Sequence, residues 1–490
     1  MNYNFINKTI PFKFRGIDFN FDLSQGLFSS AGVDSGTKFL LKIFSQIVDE
    51  DMAAGRSPPL RVLDSGCGTG VIGICAAAAI APLSPSNDGG GLRLGVRCQD
   101  RDELARLITT HNAALNGIAP TLLEAYTEPL LAGLPLVERL DARWDLILTN
   151  IPAKAGTPVL ADFVRRSAGL LNPGGRVIMV AVRTLADFFR ERIAAEAELL
   201  QEHTGPGHSV FVYTRAANQS QPAMAVNGGP DFITQHPFYV RAEITRDIED
   251  IPIHLTTIHG ASGFDNPGGA VLAAAKLARR LGPEQFPLNG EPLLVHEPDQ
   301  GFFPCWLIAL KKLTTEEHGV SDVKSPLKTP SCPKNSSTPW LILSGRNILA
   351  LEAARYNVTQ NVRQNVLQNG NTTAAIVPAA DLSLGETALR QAAGGRPYGC
   401  IAAFPELLPQ SSLPKGVDQL AAIWDAVPPL LAEGGIFLVT FSSSDAERFD
   451  RKKPAGFTRL GSVKRNGFRA LAYIEKTSRG DAGAQRRGDF

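Results

Sequence analysis

Short apolar runs alternate with amphipathic stretches through the first half of the chain. Strands are predicted where such runs end at polar residues, at 61–64, 95–99, 144–149 and 176–182. Apolar side chains at helical spacing predict helices at 36–48, 71–79, 102–116 and 159–171. Because strands that alternate with helices form a parallel sheet covered by helices, we predict an α/β fold with a doubly wound, mostly parallel sheet.

A different pattern precedes this region. Phe12, Phe14, Phe19 and Phe21 alternate with polar residues on either side of Gly16. A period of two around a turn residue predicts a β-hairpin, which we expect to form a lid.

The second half of the chain repeats the order of the first. Since four matches occur in the same order, we predict a tandem duplication that gives two Rossmann-like domains of one fold. The matching segments are 293–297 with 61–64, 340–344 with 95–99, the helix of Asn357 and Asn361 with that of Asn112 and Asn116, and 430–435 with 170–175.

Polar stretches rich in Gly, Ser, Asn and Pro indicate the domain boundaries. We predict a first domain at 1–215, a linker at 216–236, a second domain at 237–477 and a flexible tail at 478–490. Two further polar stretches, 84–91 and 314–339, are predicted to be loops or surface excursions.

The first predicted strand runs into a glycine-rich turn, VLDSGCGTG at 62–70. Gly66 and Gly68 let the backbone turn tightly and approach a ligand, and Gly70 is expected to let the next helix pack close to the strand. A dinucleotide site has its third glycine one residue later and binds a pyrophosphate. Because Asp64 would repel a pyrophosphate, the turn better suits the cationic amino-acid end of S-adenosylmethionine.

Asp100 follows the second predicted strand. An acidic residue at the carboxyl end of that strand can accept hydrogen bonds from both hydroxyls of a ribose. The alternative is that Asp64 and Asp100 only cap the adjoining turns.

Three segments in order, 27–38, 64–73 and 145–156, resemble class I S-adenosylmethionine-dependent methyltransferases of the methyltransferase small-domain family. The resemblance runs from about residue 19 to residue 214 and implies a catalytic domain at 1–215 with S-adenosyl-L-methionine as cofactor. The chain is also similar to two-domain rRNA guanine-N2 methyltransferases, in which the degenerate copy comes first rather than second. The expected cofactor-binding residues are Asp64, Ser65, Gly66, Cys67, Gly68, Thr69, Gly70, Asp100, Arg101 and Asn150.

The third predicted strand leads into Asn150, where the family has Asn-Pro-Pro and an aromatic residue. The expected catalytic residues are Asn150, Ile151 and Pro152. The Asn150 side-chain oxygen and the Ile151 carbonyl would accept both N–H bonds of a planar amino nitrogen and align its lone pair with the methyl group, while Pro152 stiffens the turn. Ala153 replaces the aromatic residue, so a stacking surface worth about 1–3 kcal/mol per base is missing there.

Several of these residues also have a simpler structural or solvent-exposed role as an alternative. Asn150 could be an Asx-turn residue, and Lys154 could face an RNA phosphate or simply be solvated. Asp34 or Ser35 is predicted to cap the helix at 36–48. The resemblance implies that the loop at 28–38 also lines the cofactor site.

The second half lacks the residues on which this site depends. Its turn reads HEPDQGFFP at 296–304, so that only Gly301 remains of the glycine pattern. Gly345 stands in place of Asp100, and Phe404 in place of Asn150. We therefore predict a degenerate domain that folds without binding S-adenosylmethionine, and that either grips the substrate or stabilises the first domain.

Composition narrows the possible partners. Lys and Arg number 49 against 48 Asp and Glu, so a nucleic-acid-binding surface would have to be local. One basic cluster, interleaved with Phe457 and Phe468, would either contact RNA phosphates or form a solvated strand–turn–strand. Its members are Arg451, Lys452, Lys453, Arg459, Lys464, Arg465 and Arg469.

The six cysteines show no metal-ligand spacing, and most lie in apolar runs, so we predict buried reduced thiols. The longest apolar stretch, 71–83, contains Gly73 and Pro82 and is too short to span a membrane. The first residues lack an apolar run of signal-peptide length. We expect a cytoplasmic protein with no membrane or metal partner.

Three functions remain open at this point. The first is an N-methyltransferase acting on RNA, such as a guanine amino group of rRNA. The second keeps the enzyme class and changes the acceptor to a protein amide or a small molecule. The third is a catalytically silent pseudo-dimer that serves as a binding module. The oligomeric state is also open, and includes a monomer built as an internal pseudo-dimer.

Overall fold

The computed structural model describes residues 5–83, 95–132, 134, 143–217, 231–282, 291–317, 339–364 and 374–475. They form two compact units. The first unit contains the described residues before position 218, together with Thr234–Tyr239 and Leu408–Val417. The second unit contains Asp231–Ile233, Val240–Leu407 and the described residues from 418 onward.

The first unit alternates strands and helices as predicted. Its strands are β1 (Lys8–Phe14), β2 (Ile17–Leu23), β3 (Arg61–Ser65), β4 (Gly95–Asp100), β5 (Leu123–Thr127), β6 (Trp144–Asn150), β7 (Leu171–Val182), β8 (Glu198–Thr204) and β9 (His208–Thr214). Its helices are α1 (Ser35–Ala53), α2 (Val71–Ile80), α3 (Glu103–Leu115), α4 (Thr157–Gly169) and α5 (Ala186–Glu196). A short helix, α6 (Phe232–Gln235), follows at the junction of the two units.

Seven of these strands form one sheet in the order β5-β4-β3-β6-β7-β9-β8. Strands β3 to β7 run parallel, and β9 and β8 complete the sheet as antiparallel neighbours. Leu40 and Phe44 of α1 share a buried core with Ile74 of α2 and with Leu148 of the sheet. The predicted doubly wound, mostly parallel sheet is confirmed.

The second unit has the same element order. Its strands are β10 (Val240–Ile248), β11 (Ile251–Ile258), β12 (Leu293–His296), β13 (Leu341–Gly345), β14 (Ala374–Pro378), β15 (Tyr398–Ala403), β16 (Leu431–Ser442), β17 (Phe457–Arg465) and β18 (Phe468–Glu475). Its helices are α7 (Gly269–Leu281), α8 (Phe302–Glu317), α9 (Ile348–Gln364), α10 (Leu382–Ala392), α11 (Gln419–Ala426) and α12 (Ser443–Arg451). The sheet order, β14-β13-β12-β15-β16-β18-β17, repeats that of the first unit strand for strand.

Each unit begins with a two-stranded hairpin outside its main sheet. Strands β1 and β2 pair through a turn in which both Arg15 and Gly16 have positive φ, as a tight two-residue hairpin loop requires. Strands β10 and β11 pair in the same way around Glu249 and Asp250. The hairpin predicted around Gly16 is confirmed, whereas its counterpart in the second unit was not predicted.

A buried asparagine fastens each hairpin to the helix behind it. The Asn112 side chain of α3 accepts from the Asp22 amide at 2.9 Å and donates to the carbonyls of Asp22 at 3.0 Å and Thr69 at 2.8 Å. In the second unit, Asn357 makes the same three bonds to Thr256 and Gln300, at 2.8–2.9 Å. This shared asparagine clamp explains why the two helices carry matching sequence signatures, and it supports the predicted duplication.

The boundaries of the units differ from the predicted domains at two places. His236 and Tyr239 pack with the first unit, where the Tyr239 hydroxyl donates to the Pro129 carbonyl at 3.4 Å and His236 contacts Arg166 at 3.3 Å. Residues Leu408–Val417 also belong to the first unit. Most of the predicted linker, the loop at 84–91, most of 314–339 and the tail lie outside the described residues.

Asn112→Ala is expected to lower the free energy of unfolding of the first unit by about 2–3 kcal/mol, because it leaves a buried amide and two buried carbonyls without partners. Chemical denaturation followed by a probe in β2 measures this change. Thr110→Ala, at an exposed position of the same helix, is the matched control and should stay within about 0.5 kcal/mol of wild type. Equal stability of Asn112→Ala and the control would contradict the clamp.

Candidate cofactor and acceptor site

Three polar residues singled out by the sequence lie at one edge of the first sheet. Asp64, Asp100 and Asn150 stand at the carboxyl ends of β3, β4 and β6. Strand β3 lies between β4 and β6, so the chain order reverses there. Ligands of open α/β sheets bind in the crevice at such a reversal.

Asp64 is completely buried. Its Oδ2 accepts the Gly73 amide of α2 at 2.8 Å, which satisfies a helix N-terminus whose own cap, Gly70, has no side chain. Its Oδ1 is buried and has no hydrogen-bond partner among the described residues. Burial, reinforced by the charge of Asp100, raises the pKa of Asp64 to about 7. A buried acceptor without a donor is suited to a cationic or hydrogen-bonding ligand.

The glycine turn leaves open space at its outer positions. Gly66, Gly68 and Gly70 all have positive φ. A Cβ at Gly68 would meet nothing within 4 Å, and one at Gly66 would only touch Leu130 at 3.8 Å. A ligand can therefore approach the backbone at these two residues, as the sequence predicted.

The role predicted for Gly70 belongs to a different glycine. A Cβ at Gly70 would lie 2.8 Å from Thr109 of α3, so this glycine allows α3, and not the strand, to come close. A Cβ at Gly73 would overlap the Cys98 Sγ of β4 and lie 3.1 Å from Asp64. Gly73 is thus the residue that lets α2 pack against the sheet.

Asp100 accepts two backbone amides. Its Oδ2 bonds Gly68 at 3.0 Å and its Oδ1 bonds Asp102 at 3.1 Å. Burial and the neighbouring Asp102 raise the pKa of its carboxyl. Asp64 and Asp100 therefore do cap the adjoining turns, which was the alternative to a ligand-binding role. Each carboxylate oxygen keeps a second lone pair, so that capping and ligand binding are compatible.

Most of the remaining predicted cofactor-binding residues could contact a ligand through their backbone rather than through their side chains. Ser65, Cys67 and Thr69 are buried, whereas Arg101 is exposed. The Cys67 Sγ lies 3.5 Å from the Thr109 hydroxyl, and burial raises the pKa of this thiol, which keeps it protonated. A neutral buried thiol is not a nucleophile.

The side chain of Asn150 is held by two residues of the first helix. Its Nδ2 donates to Asp34 Oδ1 and to Thr37 Oγ1, both at 3.1 Å. Its Oδ1 receives no hydrogen bond from any described residue. Sequence reasoning gave Asp34 only the capping role, which it does fill by accepting the Thr37 amide at 3.0 Å. Nothing in the local sequence links Asp34 to Asn150, because only the folded sheet brings them together.

Residues after Asn150 form a short turn at the same edge. Ile151 is buried and donates its amide to Val180 of the next strand at 3.2 Å. Pro152 has extended backbone before a 3₁₀ turn, Ala153–Ala155. Ala153 and Lys154 are exposed. The acceptor side of Asn150 thus has small and polar neighbours in this segment and no aromatic ring.

The corresponding positions of the second unit are filled differently. The register places Val295 where Asp64 stands, and Pro304 where Gly73 stands, so that the carboxylate acceptor and the amide donor are absent together. Phe404 takes the place of Asn150 and packs edge-on against Phe303 at 5.2 Å. Phe302 and Phe303 are fully buried at the start of α8.

Four of the seven residues in the basic cluster of the second unit form ion pairs, including Arg469 with Glu447 at 3.3 Å. Lys452 pairs with Asp418 at 2.5 Å, Arg459 pairs with Asp450 at 2.5 Å, and Arg465 pairs with Glu249. Phe457 is buried in the core, so it cannot stack on a base. Arg451, Lys452 and Lys453 precede β17, whereas the other members lie on β17 and β18. Phe468 is exposed, so both predicted roles of the cluster remain open.

The described residues contain neither a cluster suited to a metal ion nor a helix suited to a membrane. No group of three or more His, Cys, Asp or Glu side chains is arranged to hold a metal ion in the part of the chain that the structure describes. None of the described helices combines the length and the apolar character that a membrane span requires. Five cysteines, Cys67, Cys75, Cys98, Cys305 and Cys400, are buried free thiols, as predicted, and Cys332 lies outside the described residues.

Part of the first unit matches a known family model. Residues 18–193, about a third of the chain, match the model of the methyltransferase small domain. An uncharacterised protein of Bacillus subtilis, YbxB, is 28% identical over 173 residues, which cover 35% of this chain and 73% of that protein. The ribosomal RNA small subunit methyltransferase C of Hahella chejuensis is 29% identical over 194 residues, but the match spans only 45% of its length and 39% of this chain.

A solved structure resembles the chain over nearly its whole length. The 16S rRNA N2 G1207 methyltransferase RsmC of T. thermophilus, in complex with AdoMet and guanosine, superposes with a TM-score of 0.54 at 15% identity. The match covers 96% of this chain and 99% of that one. At this identity the likeness establishes the shared two-unit fold.

The raised pKa of Asp64 has a consequence for stability. A folded-state pKa of about 7, above the ordinary value of 3.8, means that the folded protein binds the proton more tightly than the unfolded chain. The free energy of unfolding should therefore fall as pH rises from about 4 to 7, by up to roughly 1.4 kcal/mol per pH unit. Denaturation of wild type and Asp64→Asn over this pH range measures the effect, and parallel curves for the two proteins would contradict it.

Proposed function

We propose that this chain, whose first unit is a methyltransferase small domain, is an S-adenosylmethionine-dependent N-methyltransferase that acts on RNA, with a guanine amino group of rRNA as the leading acceptor. The observation that carries the proposal is the orientation of Asn150. Its amide nitrogen is bound by Asp34 and Thr37, so its oxygen is directed away from them at the edge where the glycine turn is open. An oxygen fixed in this way can accept an N–H bond of a planar amino group.

The residues of the turn fit the cofactor. The unpartnered Oδ1 of Asp64 and the open backbone at Gly68 would hold its amino-acid end. Asp100 would accept the ribose hydroxyls with the lone pairs that its two backbone bonds leave available. When bound, S-adenosylmethionine supplies a methyl group activated by a sulfonium.

The contribution of the chain to methyl transfer is positional. Asn150 Oδ1 and the Ile151 carbonyl would each accept one N–H of the acceptor nitrogen, which leaves its lone pair directed at the methyl group. The buried thiol of Cys67 is excluded as a covalent intermediate by its raised pKa. No general base is needed to position the acceptor nitrogen. The proton that this nitrogen must lose can pass to water after the methyl group has been transferred.

The names of the relatives support RNA as the acceptor. The Hahella protein is a ribosomal RNA methyltransferase, and the structural neighbour is described with guanosine beside AdoMet. The second candidate, a protein amide or small molecule, is favoured by one observation, the absence of an aromatic ring at Ala153.

Phe28 can supply the missing ring. It is 74% exposed, an unusual state for a phenylalanine. The next residue, Ser29, donates its hydroxyl to Asp34 at 3.0 Å, and Asp34 in turn holds Asn150. This chain of hydrogen bonds ties the loop that carries Phe28 to Asn150 through the nitrogen of its amide. A base could therefore stack on Phe28 without an aromatic residue at position 153.

The enzyme class is tested with methyl-labelled cofactor and separate RNA and protein extracts. Label should enter RNA with wild type and fall about 100-fold with Asn150→Ala, because the acceptor nitrogen is no longer aligned. Calorimetry should give unchanged cofactor affinity for Asn150→Ala and about 10- to 100-fold weaker affinity for Asp100→Ala. Label confined to the protein or small-molecule fraction would refute the RNA acceptor, and absence of binding heat with wild type would favour the silent module.

Phe28→Ala is expected to raise KM for RNA about 5- to 100-fold through lost stacking, with cofactor affinity unchanged. Phe28→Tyr keeps a ring and should retain most of the activity. The measurement is steady-state kinetics with RNA as the varied substrate. If Phe28→Ala and Phe28→Tyr behave alike, the aromatic platform lies elsewhere.

A further inference from the structure

We propose that Asp34 is a positioning residue whose carboxylate, together with the Thr37 hydroxyl, selects the amide orientation of Asn150 and so directs Oδ1 toward the acceptor nitrogen. This inference rests on the proposed function, which gives Asn150 its acceptor role. It assigns to the first helix a part in the reaction beyond capping itself.

Asp34 receives four hydrogen bonds within one turn of chain and across to β6. Its Oδ1 accepts from the Thr37 amide at 3.0 Å and from Asn150 Nδ2 at 3.1 Å. Its Oδ2 accepts from the Ser29 hydroxyl at 3.0 Å and the Thr37 hydroxyl at 2.6 Å. Burial by itself raises the pKa of Asp34, but the hydrogen bonds from Thr37, Ser29 and Asn150 outweigh it and lower the pKa below its ordinary value. The carboxylate is therefore ionised at neutral pH.

An ionised carboxylate can only accept hydrogen bonds. Thr37 gives its hydroxyl proton to Asp34, so the oxygen that faces Asn150 is also an acceptor there. Both groups that contact the Asn150 amide, the Asp34 carboxylate and the Thr37 hydroxyl oxygen, are therefore acceptors, and only the NH₂ end of the amide can donate to them. The two ends of an asparagine amide are nearly equal in shape, and only such a network decides between them. If the amide flipped, Oδ1 would face the carboxylate and Nδ2 would face an amino group that needs an acceptor.

The second unit separates this role from helix capping. The helix N-cap follows the clamped hairpin residue at the same spacing in both units, Asp34 after Asp22 and Gly268 after Thr256. Helix α7 thus begins at Gly268 without a side-chain cap. A carboxylate at this position is therefore not required for the fold.

The three members of the network are replaced together in the second unit. Gly268 stands for Asp34, Val271 for Thr37 and Phe404 for Asn150. None of the three replacements has a side chain that can hydrogen-bond. Loss of all three at once is what a joint role predicts, because Asp34 and Thr37 have no amide to orient where Asn150 is absent.

Asp34→Asn tests the inference, because asparagine caps helices as well as aspartate does. The oxygen of the new amide can still accept from the Thr37 amide and from Asn150 Nδ2, but its NH₂ group replaces Oδ2 and donates to the Thr37 hydroxyl. Thr37 can then turn its own proton toward Asn150, which no longer faces two acceptors. We expect cofactor affinity and thermal midpoint close to wild type, with kcat at least 10-fold lower. Asp381→Asn makes the same change at the N-cap of α10 and should leave kcat unchanged.

Exchanging the carboxylate and the amide between positions 34 and 150 gives a second, independent test. Asn150→Asp alone should be nearly inactive, because two carboxylates then lie about 3 Å apart. In the double variant Asp34→Asn/Asn150→Asp, the new amide can rotate to turn its NH₂ toward the new carboxylate, at the expense of the cap on the Thr37 amide, and a carboxylate oxygen then faces the substrate. It should recover at least fivefold in kcat over either single variant. Unchanged kcat in Asp34→Asn, or no recovery in the double variant, would overturn the inference.

One measurement does not depend on activity. In protein labelled with ¹⁵N at asparagine side chains, the Asn150 Nδ2 protons should exchange slowly in wild type and rapidly in Asp34→Asn. Slow exchange together with absence of methyl transfer by wild type would refute the proposed function and leave the amide orientation standing. Rapid exchange in wild type would overturn the positioning role, whatever the activity.

Discussion

The fold of each unit depends on how a hairpin, a turn and a helix are fastened together by one buried amide. Asn112 and Asn357 each satisfy one backbone amide and two backbone carbonyls that packing removes from water. Such groups cost about 1–3 kcal/mol each if left unpaired. An asparagine side chain carries both a donor and an acceptor, so one residue can join three segments. The clamp is identical in the two units, although the rest of the turn differs.

The buried carboxylate of the site lowers the free energy of unfolding of the first unit. Asp64 is a fully buried carboxylate with one oxygen unpartnered, and burial raises the pKa of Asp64 to about 7. In the second unit a valine and a proline stand in these places, so the donor and its acceptor are absent as a pair. Replacing both partners by apolar groups avoids the penalty of an unsatisfied buried group. The second unit therefore has the same fold without this buried carboxylate, which supports the proposal that it is a degenerate copy.

Much of this arrangement could be predicted from the sequence. The strand and helix periodicities fix the parallel sheet, because side chains repeat every two residues in a strand and every 3.6 in a helix. The carboxyl ends of β3, β4 and β6 meet at one edge in any such sheet, and this alone places Asp64, Asp100 and Asn150 together. Matching helices with Asn112 and Asn357 made the duplication visible. Edge strand β5 was missed because its five residues are mostly half exposed. The hairpin β10–β11 was missed although its strands alternate over 9 and 8 residues.

The sequence by itself determined the fold class, the duplication, the open glycine turn and the loss of the same residues in the second half, since all of these follow from local spacing and from side-chain chemistry. Only the tertiary structure decided which glycine admits the helix, since Cys98 and Thr109 lie far from the turn in sequence. It also decided that Lys452 and Arg465 of the basic cluster pair with carboxylates of distant segments. The orientation of the Asn150 side chain was likewise decided by the tertiary structure, because Asp34, at the N-terminus of α1, is distant from it in sequence. Contacts between distant segments leave no periodic trace in a single sequence, so their chemistry becomes readable only once the chain has folded.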